Sequence, residues 1–453
     1  MRRPATRTAA FERAGETAPM SSIAEAALSR PLNRNDVRTL VLAALGGALE
    51  FYDFIIFVFF AGVIGQLFFP KDTPDWLLQL QTYGIFAAGY LARPLGGIVM
   101  AHFGDRVGRK RMFTLSVFLM AVPTLLIGLL PTYAVAGALA PLALLVLRVL
   151  QGTAIGGEIP GAWVFVAEHA PARRSGLACG ALTAGLTGGI LLGSLVATGI
   201  NRHYPPELVR DYAWRIPFLI GGVFGFLAVF LRMWLEETPV FEELRRRKAL
   251  AQELPLKLVL KGHLGSVLVS MLVTWVLTAA IVVLILMTPT LLQKLHGFTP
   301  AQTLTANSLA TLALTVGCLG AGALVDRFGP GLVLAAGSAV LLLCTYALYL
   351  GVAADPALLL PLYALTGLFV AIVAVVPSVL VRSFPAPVRF TGISFSYNLA
   401  YAVFGGFTPP LVTLLVKADP LGPAHYVAAL CVVGVAVGLL TARRLAAGDA
   451  VRA

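Results

Sequence analysis

The chain has 453 residues, of which 58% are apolar and only 12% are charged, and its formal net charge is +12. About a quarter of the residues in an average soluble domain are charged, and a soluble core stops growing well below this length. The composition therefore excludes a soluble globular fold and a disordered chain. The basic residues lie between apolar runs, which excludes a nucleic-acid-binding protein and indicates an all-α polytopic membrane protein.

Twelve apolar segments are long enough to span a bilayer, which takes about 20 residues per helix. We number them 1 to 12 in chain order: 39–62, 77–101, 112–131, 137–167, 177–199, 214–234, 264–292, 301–324, 331–352, 357–381, 390–415 and 425–442. Segment 4 exceeds the length of one upright helix, so we expect it to tilt or to extend beyond the bilayer.

The distribution of Lys and Arg predicts the orientation of the segments, because basic loops stay on the cytoplasmic side. With the N-terminus inside, nearly all basic loop residues fall on that side, so we expect both termini in the cytoplasm. The predicted parts are a basic tail (1–38), a six-helix bundle (39–234), a cytoplasmic linker (235–263), a second six-helix bundle (264–442) and a tail (443–453). The linker has acidic residues followed by basic ones, which fits either a surface helix or a plain tether.

The two predicted bundles repeat a cytoplasmic turn. Asp105-Arg106 follows segment 2, and Asp326-Arg327 follows segment 8. Such a repeat indicates an internal duplication, and duplicated transporters bind their substrates near the middle of the membrane, between the repeats.

Several motifs resemble those of known transporters. The stretches 104–111 and 322–329 resemble the best-known signature of the major facilitator superfamily, and Arg148-x-x-Gln151-Gly152 resembles a second one. The stretches 47–54, 93–97, 148–158, 168–171 and 214–218 together resemble the metabolite:proton symporter family, which includes permeases for citrate, α-ketoglutarate, shikimate and proline or betaine. The stretch 402–409 is most similar to its citrate branch. The resemblance implies a major facilitator fold of two pseudo-symmetric six-helix halves, a monomer, and no cofactor.

Charged residues inside apolar segments are the strongest functional signal, because burying them in a membrane is costly. Segments 1, 2 and 4 contain five: Glu50, Asp53, Arg93, Arg148 and Glu158. A rise of 1.5 Å per residue places Glu50, Arg93 and Glu158 at a similar depth of about 12–15 Å. We predict that this level of the first half holds the charged part of the site.

Arg93 is the predicted substrate residue, because a guanidinium stays charged and grips a carboxylate with two N–H groups. Glu50 and Asp53 are the predicted proton-coupling residues. Burial favours the neutral form of a carboxyl and a nearby Arg favours the ionised form, so a carboxyl can exchange Arg for a proton when substrate binds. The alternative is a permanent ion pair that only holds the helices together.

Segment 11 carries a polar stripe that we predict to complete the substrate site. Residues three or four apart share one helix face, so the stripe faces a cavity or serves only to bond neighbouring helices. The predicted substrate-binding residues are Arg93, Tyr52, Tyr397, Asn398 and Tyr401, with Tyr83, Tyr90 and Asn307 as weaker candidates.

The cytoplasmic turns are predicted to latch one conformation. A carboxylate such as Asp105 is stabilised at the N-terminus of a neighbouring helix, although the turn can also serve orientation alone. The predicted gating or structural residues are Asp105, Arg106, Gly108, Arg109, Arg148, Glu158, Glu168, Asp326 and Arg327.

The most consistent interpretation is a secondary transporter that moves a small organic acid together with protons by alternating access, with a citrate-like di- or tricarboxylate favoured. Proton-coupled uptake of a zwitterion such as proline or betaine, and proton-driven export, remain open alternatives. The sequence shows no nucleophile–base pair, no metal-ligand spacing and no phosphate loop, so we expect neither an enzyme nor a metal protein. The expected partners are the substrate, protons and the lipid of a bacterial inner membrane.

Overall fold

The structure, a computed structural model, describes residues 34–107, 109–156, 158–170, 172–233, 255–385 and 388–452. All regular elements in these ranges are helical. Most of the predicted N-terminal tail and of the linker lie outside the described residues. So do Gly108 and the side chains of Glu50, Asp105, Arg106, Arg109, Glu158 and Glu168.

Segments 1 to 6 form ten helices. They are α1 (Arg34–Phe59), α2 (Ala61–Phe68), α3 (Asp75–Val107), α4 (Arg109–Leu129), α5 (Tyr133–Ala136), α6 (Leu139–Ile155), α7 (Glu158–His169), α8 (Ser175–His203), α9 (Pro206–Asp211) and α10 (Ile216–Met233). The short helix α11 (Pro255–Gly262) lies in the predicted linker.

Segments 7 to 12 form the remaining helices. They are α12 (Leu264–Thr278), α13 (Thr288–His296), α14 (Pro300–Phe328), α15 (Pro330–Ala354), α16 (Leu359–Val370), α17 (Val376–Ser383), α18 (Arg389–Ala400), α19 (Gly406–Ala418) and α20 (Gly422–Arg452). Each predicted segment coincides with one helix or with consecutive helices, which confirms the all-α membrane fold. Ten helical stretches among the described residues are long and apolar enough to cross a membrane, and α3 and α4 occupy the other two segments.

Several of the segments are not uniform α-helices. Segment 4 is divided between α6, which ends at Ile155, and α7, which begins at Glu158, and we call this point the break in segment 4. Segments 7 and 11 contain π-helical turns, at Ala279–Met287 and Tyr401–Gly405, and segment 10 contains a 3-10 turn at Ala371–Val375. Turns of this kind are frequent at functional sites in membrane and soluble helices.

Helices α3 and α6 approach each other backbone to backbone because both carry glycine at the contact. A Cβ placed on Gly152 would overlap the carbonyl of Gly89, and a Cβ on Gly156 would overlap the carbonyl of Arg93. Small residues at such positions permit close helix packing in lipid. The contact fixes the backbone of Arg93 against the break in segment 4.

Helices α8 and α14 join the first six segments to the last six along much of their length. The Thr187 and Thr315 hydroxyls lie 3.2 Å apart, and those of Ser194 and Ser308 lie 2.9 Å apart. On its other side α8 packs against α1, where Gly189 accommodates the Ala48 backbone.

Replacing Gly152 with Ala tests the close packing of α3 and α6. We expect Gly152→Ala to destabilise the protein by about 1–3 kcal/mol, because overpacking forces the helices apart. The change is measured as a lower melting temperature in detergent. Gly199→Ala is the matched control, since nothing lies within 4 Å of a Cβ there. Equal melting temperatures for the two variants would contradict the packing described.

Candidate functional site

The guanidinium of Arg93 is buried where α3 meets segment 11, and the side chain is 2% exposed. Its Cζ lies 4.2 Å from the ring centroid of Tyr401, 5.4 Å from that of Tyr397 and 5.7 Å from that of Tyr90. The Nε and Nη2 atoms of Arg93 have no hydrogen-bond partner within the described part of the chain. The structure thus brings together three of the predicted substrate residues and leaves two N–H groups of the cation unused.

The tyrosine rings bridge the two halves of the molecule around this cation. Tyr90 belongs to the first half, whereas Tyr397 and Tyr401 belong to the second. The ring centroids of Tyr90 and Tyr401 lie 5.3 Å apart, and those of Tyr397 and Tyr401 lie 4.7 Å apart. A desolvated cation over an aromatic face gains about 2 kcal/mol per good contact, which partly offsets the cost of burying it.

Asn398 bonds to the break in segment 4. Its Nδ2 donates a short hydrogen bond to the carbonyl of Gly156 and a second one, of 3.0 Å, to the carbonyl of Ser394. Its Oδ1 is buried without a partner in the described ranges. Asn398 therefore links segment 11 to segment 4 next to the backbone of Arg93.

Trp163, which the sequence analysis missed, completes the surroundings of Tyr397. The two ring centroids are 4.9 Å apart in an edge-on arrangement, and Trp163 Nε1 has no partner among the described residues. The sequence did contain a signal for Trp163, because this aromatic residue has a polar N–H group and lies in segment 4, which also contains Arg148 and Glu158. Such residues usually find a hydrogen-bond partner when they are buried.

Arg148 lies inside the first half, separated from Arg93 by aromatic rings. Its Cζ is 4.2 Å from the ring centroid of Phe54, and Phe54 in turn packs 5.1 Å from Tyr90. Arg148 Nη1 donates to Gln151 Oε1 at 2.8 Å and to the Phe54 carbonyl at 3.2 Å. These contacts tie α6 to α1.

Tyr52 and Asp53 lie on the side of α1 that faces α10. The Tyr52 hydroxyl donates to the carbonyl of Pro217 at 2.8 Å. A Cβ placed on Gly221 would lie 2.7 Å from Asp53 Oδ1, so the carboxyl packs directly against α10. The described contacts of Arg93 include neither residue. Glu50 and Glu158, predicted at the depth of Arg93, have side chains outside the described residues.

Asp326, which we predicted to latch one conformation, connects the halves at the end of α14. Its Oδ1 accepts from the backbone N–H of Gly176 at 2.7 Å, and its Oδ2 accepts from that of Leu177 at 2.9 Å. These groups belong to the first turn of α8, where a negative charge is favoured. Arg327 instead lies over Phe328, with 5.1 Å between Cζ and the ring centroid. The equivalent turn, with Asp105, Arg106, Gly108 and Arg109, and the predicted Glu168 fall outside the described side chains.

Residues 44–410 match the Major Facilitator Superfamily. The chain belongs to this superfamily. It is 32% identical over 433 residues to the citrate-proton symporter of Klebsiella pneumoniae, with 92% of this chain and 94% of the relative covered. It is 29% identical over 421 residues to the proline/betaine transporter of Salmonella typhimurium, with 89% and 82% covered.

A solved transporter structure has the same fold. A crystal structure of a D-xylose-proton symporter superposes with a TM-score of 0.70 at 18% identity, covering 89% of this chain and 97% of the other. That likeness concerns the fold alone. The superfamily and these relatives confirm the predicted transporter class, the twelve-segment architecture and the multi-pass membrane location, and they are not enzymes.

Replacing Asp326 tests the latch with reporters that the chain already contains. We expect Asp326→Asn to raise the rate at which N-ethylmaleimide modifies Cys179 and Cys318 by about tenfold, since hydrogen bonds to a charged group are worth about 1.5–3 kcal/mol. Both thiols are buried at the contact of α8 with α14. The buried thiols of Cys344 and Cys431, away from this contact, are internal controls whose labelling rates stay constant. Unchanged labelling of all four cysteines would show that Asp326 does not hold the halves together.

Proposed function

We propose that the protein is a proton-coupled symporter that imports a small organic acid across a bacterial inner membrane, with both termini in the cytoplasm. The observation that carries the proposal is the buried guanidinium of Arg93, which lies between the halves with two N–H groups unused. A cation in this state is matched by a carboxylate, which accepts two parallel hydrogen bonds from it. The citrate-proton symporter among the relatives supports the same substrate class.

Binding of a carboxylate at Arg93 provides a physical route to alternating access. The ion pair neutralises the guanidinium, which weakens its attraction to the rings of Tyr397 and Tyr401. Those rings belong to the second half, so substrate binding loosens one of the contacts that join the halves. Because the other contacts, including the Asp326 latch, persist, the substrate changes the balance between conformations and does not separate the halves completely.

Proton coupling is assigned to Glu50 and Asp53. A substrate carboxylate that neutralises Arg93 lowers the positive potential within the first half, which makes a carboxyl there easier to protonate without direct contact, so proton and substrate binding favour each other. The burial of Asp53 against α10 supports its role as a proton site within the first half. Glu50 is one helical turn away from it, on the side of the chain nearer the cytoplasm.

The second candidate is a symporter for a zwitterion such as proline or betaine. Three tyrosine rings surround the site, and aromatic faces attract organic cations as well as the guanidinium. The proline/betaine transporter of Salmonella typhimurium supports this alternative. A zwitterion would place its carboxylate on Arg93 and its cationic group against the rings.

Uptake into liposomes tests the proposed substrate class. With an inward proton gradient, we expect accumulation of one acid from a panel of citrate, α-ketoglutarate, shikimate, lactate, proline and betaine. Arg93→Ala should lower its uptake at least about tenfold, because a charged hydrogen-bond partner of the carboxylate is lost, whereas the exposed Arg202→Ala should behave as wild type. Accumulation of betaine or proline alone would select the second candidate. Uptake that is unaffected by Arg93→Ala would remove Arg93 from the site.

Measuring substrate exchange and gradient-driven accumulation separately tests whether Glu50 and Asp53 are proton sites. We expect Glu50→Gln or Asp53→Asn to abolish accumulation driven by the proton gradient while substrate exchange between equal solutions continues, because exchange needs no net proton movement. Gradient-driven accumulation that survives in both variants would contradict the coupling role of these carboxyls. Loss of exchange and accumulation together would instead assign them to binding or structure.

A further inference from the structure

Three buried polar side chains, two beside the Tyr397 ring and one on the next residue of the chain, have hydrogen-bonding atoms without a partner in the described part of the molecule. They are Arg93 through Nε and Nη2, Trp163 through Nε1, and Asn398 through Oδ1, and each residue is only 2% exposed. Buried polar atoms are almost always hydrogen-bonded, and a group of exceptions in one place needs an explanation. Two of the three are donors and the third is an acceptor.

The orientation of the Asn398 amide is fixed by its other contacts. Nδ2 faces two carbonyl oxygens, those of Gly156 and Ser394, which only a donor can satisfy. The unpartnered atom is therefore the acceptor Oδ1, and a rotated amide would place oxygen against oxygen. Asn398 lies beside the Arg93 helix, since a Cβ on Gly97, one turn after Arg93, would lie 3.4 Å from Nδ2.

Trp163 and Arg93 approach the same tyrosine ring. The Trp163 ring centroid lies 4.9 Å from that of Tyr397, and Arg93 Cζ lies 5.4 Å from it. Two donors, one of them charged, attract an anion. An acceptor beside them is satisfied by a donor on the same ligand.

We propose that Arg93, Trp163 and Asn398 form a subsite that selects an acid carrying a hydrogen-bond donor, such as a hydroxy acid or an acid with an N–H group. This inference rests on the proposed function and narrows its substrate class. The carboxylate accepts from Arg93 and from Trp163 Nε1, and the hydroxyl or N–H of the ligand donates to Asn398 Oδ1. An analogue without the donor leaves this oxygen buried and unpaired, and a site built to bond a polar group rejects analogues that lack it.

The same geometry discriminates between the substrates of the relatives. Citrate has a hydroxyl group and proline has N–H groups, whereas the nitrogen of betaine is fully methylated and has no proton to donate. The subsite therefore accepts citrate or proline in preference to betaine. Acids without a donor, such as succinate, are disfavoured for the same reason.

Matched pairs of ligands test the subsite by direct binding to the purified full-length protein. The pairs are citrate with tricarballylate, malate with succinate, and proline with cyclopentanecarboxylate, and each pair differs at the donor. We expect the donor-bearing member of at least one pair to bind about tenfold more tightly or better. Asn398→Leu should reduce that ratio to within about twofold.

Two tryptophan variants separate the roles of the donors. Trp163→Phe should weaken both members of the pair equally and keep their ratio, because it removes a donor to the shared carboxylate but retains the ring against Tyr397. Trp214→Phe is the matched control, since Trp214 Nε1 is also buried without a partner in the described residues but its ring packs against Phe68, in the first half. It should leave both affinities unchanged.

The outcomes distinguish this inference from the proposed function. Equal wild-type affinity for both members of every pair would overturn the subsite, whatever Asn398→Leu does to folding, and would leave an organic-acid symporter intact. Binding of none of the six compounds would overturn the subsite together with the proposed substrate class. A ratio that survives in Asn398→Leu would assign the selectivity to another residue.

Discussion

A buried positive charge at the boundary between two halves is the constraint on which this structure depends. A guanidinium in a membrane helix is stable only if its surroundings compensate for lost hydration. At Arg93 the glycine contact between α3 and α6 fixes the backbone, and tyrosine rings from both halves cover the charge. The compensation is incomplete, because two N–H groups stay unused within the described ranges. We propose that a substrate carboxylate fills this deficit, so that the cost of burying the cation becomes the basis of substrate recognition.

The halves are joined at several levels, and each level uses a different chemistry. Asp326 holds the first turn of α8 by charge, hydroxyl groups such as Ser194 and Ser308 bond further along the same helices, and aromatic rings meet around Arg93. Under the proposed function, only the aromatic level would respond directly to a bound anion. We propose that the others act as a hinge or a latch, which would permit one side of the molecule to open while the opposite side stays closed.

The sequence predicted the helices and several residues of the site because a charge or a polar stripe inside an apolar segment is visible without coordinates. Arg93, Tyr397 and Tyr401 were predicted and lie together. Tyr52 was predicted for the same site, but its hydroxyl bonds to the carbonyl of Pro217. Helical spacing shows which residues share a helix face, but it does not show which neighbouring helix that face contacts. The break at Gly156, the π-helical turns and Trp163 escaped prediction for a related reason. They depend on contacts between segments far apart in the chain, such as that of Asn398 with Gly156.

A structure determined with a transported acid bound tests the central role of Arg93 most directly. We expect a carboxylate oxygen within about 3 Å of Arg93 Nε or Nη2, with the guanidinium displaced from the face of Tyr401. An acid bound elsewhere, while Arg93 keeps its contacts with all three tyrosine rings, would contradict it.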